Sequence, residues 1–104
     1  MPDDRWRIEL ERSGGFAGVT LRSAADTSEL APADAAELRR LAGAVDFRRY
    51  ESGGPGGMPD AFQYHVVAEH DGERHDVTVG ESAVDPNLHA LVDWLMERLR
   101  QQPR

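Results

Sequence analysis

Four histidines are the side chains with the most evident potential for chemistry, because imidazole can bind a metal or move a proton. Histidine and carboxylate ligands make up many zinc sites, and His65, Glu69 and His70 are close in sequence. Their order matches neither of the helical zinc-protease motifs. They lie on a predicted strand that points His65 and His70 to opposite faces, and His89 belongs to a distant helix. We therefore expect ordinary surface or edge histidines and no metal site.

Acidic residues and serines offer no catalytic constellation either. The 19 acidic residues are spread over every predicted element, with no pair in an apolar setting that would raise a carboxyl pKa. No serine lies in a Gly-x-Ser-x-Gly elbow, and Ser13 precedes Gly14 and Gly15 between two predicted strands. All 12 basic residues are arginines and cysteine is absent, which excludes Schiff-base lysines, Walker-type phosphate loops and thiolate nucleophiles. We therefore do not expect an enzyme, although an enzyme that uses the histidines is a third reading, after two in which the chain only binds another protein.

Size and charge restrict the function further. A chain of 104 residues suits one small domain, here residues 1–104, and its apolar residues are fully used by one core, so we expect a monomer in the free state. The net charge of -7 argues against nucleic acid and anionic membranes as partners. No apolar stretch approaches the roughly 20 residues of a membrane span. Because the first four residues lack the features of a signal peptide, we expect a cytoplasmic protein.

Two segments near the start alternate with period two and predict a hairpin. Trp6, Ile8 and Leu10 would share one face of the first strand, and Val19 and Leu21 one face of the second. Pairing Leu10 with Val19 and Ile8 with Leu21 puts every apolar residue on the same side. The glycine-rich tip follows Arg12, and the polar residues 23–31 are predicted to be a crossover.

The remaining elements follow from capping and turn signals. Pro32 begins a predicted helix of about 14 residues that ends near Asp46, and residues 48–60 are predicted to form a loop. Strands on either side of Asp71-Gly72 form a second hairpin, with Ala68 facing His75 and Val66 facing Val77. Asp85-Pro86 starts a helix that runs to about Gln101. The order ββαββα predicts an α+β fold, with a four-stranded, mainly antiparallel sheet and two helices packed on one face.

Three other features carry two readings each. Phe16 stands among small residues at the hairpin tip, where it either caps the core or is displayed for insertion into a partner's cleft. The run around Gly54 and Pro55 resembles a phosphate cradle, but the proline removes a backbone donor, so we favour a plain loop. Trp94 lies beside the leucine stripe of the last helix and either covers a sheet edge or serves as a docking aromatic.

The segment from Arg7 to Gly18, Arg-Ile-Glu-Leu-Glu-Arg-Ser-Gly-Gly-Phe-Ala-Gly, resembles the emfourin family. The resemblance continues through Pro59–Tyr64, His75–Glu81 and Leu91–Leu95 and covers nearly the whole chain. The Gly-Pro run at residues 52–59 departs from the family pattern. Members of this family are small protein inhibitors of thermolysin-like zinc metallopeptidases such as protealysin.

The resemblance implies a proteinaceous inhibitor that blocks the peptidase cleft one-to-one and holds no cofactor, the zinc being the target's. The implied contact residues form the hairpin tip: Ser13, Gly14, Gly15, Phe16, Ala17 and Gly18. Gly54, Pro55 and Trp94 are candidates for a secondary contact. The alternative is a small non-enzymatic interaction module that uses the same loop on a non-protease partner.

Overall fold

The computed structural model describes residues 5–14, 20–51, 62–81 and 84–101. Its strands are β1 (Trp6–Gly14), β2 (Leu21–Asp26), β3 (Phe62–His70) and β4 (Glu73–Gly80). Its helices are α1 (Pro32–Gly43), the single turn α2 (Arg48–Glu51) and α3 (Pro86–Gln101), with a 3₁₀ turn at Thr27–Glu29. The strands form one antiparallel sheet in the order β2-β1-β3-β4. The predicted α+β fold with a four-stranded antiparallel sheet is confirmed.

The second hairpin has the register that its turn residues predict. Val66 lies opposite Val77 and Ala68 opposite His75. Asp71 has φ 51° and Gly72 has φ 79°, so both turn residues are in the left-handed region that a type I′ turn requires. Aspartate and glycine tolerate this region, and a tight turn of fixed length leaves the strands only one register.

The register predicted for the first hairpin is wrong. Leu10 lies opposite Ser23 and Ile8 opposite Ala25, instead of Val19 and Leu21. β2 extends to Asp26, so residues 23–26 are strand and not crossover. Because the shift is four residues, an even number, the same face stays buried. Small side chains occupy this face in β2, and the Ser23 hydroxyl is satisfied there by donating to the Leu95 carbonyl at 2.9 Å.

The helices begin and end close to the predicted residues, with one addition. α1 begins at Pro32 and ends at Gly43, slightly before Asp46. α3 is capped by the Asp85 carboxylate, which accepts from the Leu88 N–H at 2.8 Å. The addition is α2, which lies in the predicted loop. Phe47 immediately before it and Tyr50 within it are buried and anchor this turn to the core.

The core lies between the helices and one face of the sheet. Its largest fully buried side chains come from three strands and two helices: Ile8, Leu10, Leu38, Val66, Val77, Leu88, Leu91 and Leu95. The opposite face of β1 carries charged side chains, including Arg7 and Glu9, which form an ion pair at 3.2 Å. The sheet therefore has one apolar face and one charged face, as its alternating strands require.

Candidate functional site

The two ends of the sheet differ, and the predicted contact residues belong to one of them. We call this end, where Gly14 lies opposite Phe62 and Gln63 opposite Gly80, the open end. We call the other, where Trp6 lies opposite His70 and Arg7 opposite Asp26, the closed end. The connections 15–20, 52–61 and 81–85 all meet the sheet at the open end. The described strand ends next to both glycine-rich segments of the sequence thus lie at the same end of the sheet.

Ser13 and Gly14 are the last two residues of β1. Each is paired with β3 only, Ser13 with Gln63 and Gly14 with Phe62, because the pairing with β2 stops at Arg12. Gly14 has φ 99°, in the left-handed region that favours glycine. A glycine is therefore needed at the point where the chain leaves the sheet. Gly15, Phe16, Ala17 and Gly18 lie outside the described residues, as do Gly54 and Pro55, so both readings of Phe16 stay open.

An arginine–aromatic pair lies beside the base of this hairpin. The Arg12 guanidinium carbon is 4.4 Å from the centroid of the Phe62 ring, and both side chains are half-buried. Tyr64, the Cα partner of Arg12, is buried. Burial raises the pKa of the Tyr64 hydroxyl, Glu81 adds to this rise, and Arg12 opposes it. The open end thus combines a cation, an exposed part of an aromatic ring and a buried phenol.

Sequence reasoning missed the pair of Arg12 and Phe62. One signal was present: the alternation that buries Ile8 and Leu10 puts Arg12 on the same face of the strand. A charged residue on the apolar face marks the point where the covering helices no longer exclude water. The partner could not be read from the sequence, because Phe62 is fifty positions away.

The structure places Trp94 with the helices. It is half-buried and packs against the core, and the Arg98 guanidinium lies 5.1 Å from its ring. Arg98 also donates to the Asp34 carboxylate of α1 at 3.4 Å.

The histidines are dispersed. His65 and Asp76 contact each other on the charged face of the sheet at 2.6 Å, whereas His70 and His75 stack on Trp6 and Phe47. His70 and His65 therefore lie on opposite faces, as the strand alternation predicts. In the described ranges, no three metal-binding side chains are grouped to hold an ion. None of the described helices is long and apolar enough to cross a bilayer.

Comparison with known proteins gives one match. A family model described as Emfourin matches residues 10–96, from the middle of β1 into α3. The matched range contains the hairpin tip and all residues of the open end described above. No significant match is found among curated proteins or among solved structures.

Proposed function

Because the chain belongs to the Emfourin family, we propose that it is a protein inhibitor of a thermolysin-like zinc metallopeptidase. Family membership is consistent with a protease-inhibitor role, and the observation that carries the proposal is the match over residues 10–96. In this proposal the chain performs no catalysis and holds no cofactor. It acts in the cytoplasm and blocks the active-site cleft of the peptidase one-to-one.

The open end supports the choice of contact surface. The proposed contact, Ser13–Gly18, begins on β1, an inner strand of the sheet, so the strand holds the base of the tip in place. Gly14, Gly15 and Gly18 have no side chain beyond the backbone, which lets the walls of a cleft approach the main chain closely. In this proposal, small residues next to a base held by β1 form the part of the chain that enters the cleft.

Phe16 is the proposed anchor. Thermolysin-like peptidases as a class favour a bulky apolar side chain immediately after the scissile bond. A phenylalanine at the tip of the hairpin resembles that substrate feature and would fill the primed-side pocket. Burying such a side chain contributes about 1.5–3 kcal/mol, enough for one residue to dominate the interface.

Gly54 and Pro55 are proposed as a secondary contact, because the segment that carries them re-enters the sheet at Phe62, opposite Gly14. Trp94 is the third proposed secondary contact. It is partly buried against the core, and its neighbour Arg98 joins that part of α3 to α1.

The direct test is a titration of a purified thermolysin-like peptidase with the purified chain, at several concentrations of a peptide substrate. We expect activity to fall to zero at one equivalent, and the apparent inhibition constant to rise with substrate concentration, as competition for the cleft requires. Full activity at a large molar excess of the chain would exclude this target class. A stable complex with a non-protease partner through the hairpin would then favour the interaction-module alternative.

A further inference from the structure

Most arginines in the described part of the chain lie against a carboxylate. The pairs are Arg5–Asp26, Arg7–Glu9, Arg22–Glu11, Arg40–Glu37, Arg49–Asp85, Arg74–Asp76, Arg98–Asp34 and Arg100–Glu97. This pairing is expected, because the chain has 19 acidic residues for 12 arginines. An arginine without a carboxylate is therefore informative in this protein.

Arg12 is such an arginine. Among the residues that the structure describes, no carboxylate lies within ion-pair distance of its guanidinium. Glu81 and Asp93 act electrostatically on its neighbour Tyr64, and Arg12 acts on the same hydroxyl with the opposite sign. Arg48 shares this property, yet it is exposed on the α2 turn and has no aromatic contact among the described residues. Arg12 differs from Arg48 in having an aromatic contact and a half-buried position.

Two neighbours position the Arg12 guanidinium: the Phe62 ring packs against it, and the Tyr64 hydroxyl interacts with its N–H groups. The guanidinium carbon lies 4.4 Å from the ring centroid. A guanidinium carries five N–H donors in one plane, so the interaction with Tyr64 leaves several of them for a partner. Two of those donors can bind both oxygens of one carboxylate in the bidentate geometry that lysine cannot reproduce. Since Arg12 is half-buried, such a pair would be partly shielded from water and from salt.

The position of Arg12 puts these donors beside the proposed contact segment. Arg12 immediately precedes Ser13, and its Cα partners are Leu21 on β2 and Tyr64 on β3. It therefore lies on the last fully paired row of the sheet before the hairpin tip. A partner that binds the tip would approach this row.

We propose that Arg12, stacked on Phe62, binds a carboxylate side chain of the inhibited peptidase beside its cleft. This inference rests on the proposed function and adds to it the chemistry of one partner group. In a chain of net charge -7, a cation that has no carboxylate among the described residues and lies next to the contact segment favours a partner with an acidic group at that one point. Arg12 would thus contribute to target choice, separately from the anchor.

The test compares inhibition constants of the parent chain, Arg12→Gln and Arg12→Lys against the peptidase titrated above. Arg48→Gln removes the same charge elsewhere, and Arg22→Gln removes it from the neighbouring strand. We expect Arg12→Gln to raise the inhibition constant at least about tenfold, mainly through faster dissociation. Arg12→Lys should recover only part of this loss. Both controls should stay within about twofold of the parent.

A double-mutant cycle then identifies the partner group and excludes a merely structural role for Arg12. Each acidic residue at the rim of the peptidase cleft is changed to its amide, and the inhibition constant is measured with the parent chain and with Arg12→Gln. One amide variant should weaken the parent chain about as much as Arg12→Gln does, with no further loss when both changes are combined. Absence of any such coupling would overturn the proposal, even if Arg12→Gln inhibits weakly.

The outcomes distinguish the proposed inhibitor function from the proposed role of Arg12. A parent chain that inhibits, together with an Arg12→Gln variant that inhibits equally well, overturns the role of Arg12 and leaves the inhibitor function standing. A parent chain that does not inhibit overturns both.

Discussion

The closed end and the open end of the sheet are built from the same strands in opposite ways. At the closed end, a two-residue turn joins β3 to β4, and the Trp6 ring stacks on His70 with centroids 4.0 Å apart. At the open end, the strands stop at Gly14 and Phe62, and a guanidinium covers part of a half-buried ring. One end directs its aromatic and charged groups into the molecule, whereas the other leaves some of them available to a partner. We therefore expect the closed end to contribute mainly to stability and the open end mainly to partner recognition.

The charged groups show the same contrast. At the closed end, Asp26 accepts from Arg5 Nε at 3.0 Å and from the Ser28 N–H at 2.9 Å, and its side chain is only 9% exposed. The adjacent Thr27 hydroxyl accepts from the Trp6 N–H at 3.1 Å. At the open end, Arg12 has no comparable carboxylate among the described residues. A fully bonded carboxylate fixes the start of β1, whereas an arginine without one remains available near its end.

The largest effect on folding is expected at the closed end. Trp6→Ala removes a buried aromatic side chain and should lower the free energy of unfolding by about 3–5 kcal/mol. Thermal or denaturant unfolding measures this loss, and Trp94→Ala, at a half-buried position, should cost less. The fraction of Trp6→Ala that remains folded should inhibit like the parent chain. A raised inhibition constant for that fraction would show that the closed end also contributes to inhibition, which contradicts the proposed difference between the two ends.

The largest effect on inhibition is expected at the open end. Phe16→Ala should weaken inhibition about 10- to 150-fold, since it removes about 1.5–3 kcal/mol of apolar burial in the cleft. Its melting temperature should stay close to that of the parent. Two measurements on one variant, inhibition constant and melting temperature, separate the two readings of this residue. A variant that melts much lower yet inhibits normally would show that Phe16 caps the core.

Low pH should reduce the free energy of unfolding, because it protonates the Asp26 carboxylate at the closed end. Its hydrogen bonds with Arg5, and with Ser28, hold the pKa of this carboxyl well below the ordinary value of 3.8. A depressed pKa in the folded state gives stability that is present above pH 4, begins to fall near the unfolded value and is lost as the pH drops through the folded value.

The measurement is unfolding by denaturant across this acid range. Asp26→Asn should lower the free energy of unfolding at pH 7 by about 1.5–3 kcal/mol, because it removes hydrogen bonds to a charged group. The variant should also show a shallower loss of stability below pH 4. Parallel curves for variant and parent would contradict this account of the closed end.

A smaller effect is expected where β1 leaves the sheet. Gly14→Ala places a side chain on a residue with φ 99°, which should cost about 1–2 kcal/mol of stability. Gly43→Ala, at the end of α1, is the matched control, because nothing lies within 4 Å of an added Cβ there and its φ is ordinary. That control should be neutral or slightly stabilising. Equal melting temperatures for the two variants would argue against a conformational need for glycine at position 14.

The two hairpins show how much of the fold the sequence could predict. Asp71-Gly72 determines both turn type and register, so β3 and β4 were predicted pair by pair. The first hairpin has no such signal: its tip is long, and the residues that β2 buries, Ser23 and Ala25, are too small to show an apolar alternation. The larger side chains Val19 and Leu21 are therefore the ones that the sequence pattern predicts to be buried in β2. That prediction differs from the observed register by four residues.

The candidate site likewise has one part that the sequence predicts and one part that it does not. The glycine-rich tip is visible in the sequence, because its residue types alone set it apart. The pair of Arg12 and Phe62 is not, because it depends on two strands that meet only in the folded sheet. Which residues of two distant strands lie next to each other depends on the strand register. For the central strands β1 and β3, that register is set by the packing of the whole sheet and not by a local turn.

Amide hydrogen exchange of the chain, alone and saturated with the inhibited peptidase, tests the central claim most directly. We expect new protection at the open end, in residues 12–18 and around Phe62, with little change at Asp71-Gly72 and Asp26. Protection centred on the closed end, with the hairpin tip exchanging as in the free chain, would contradict it.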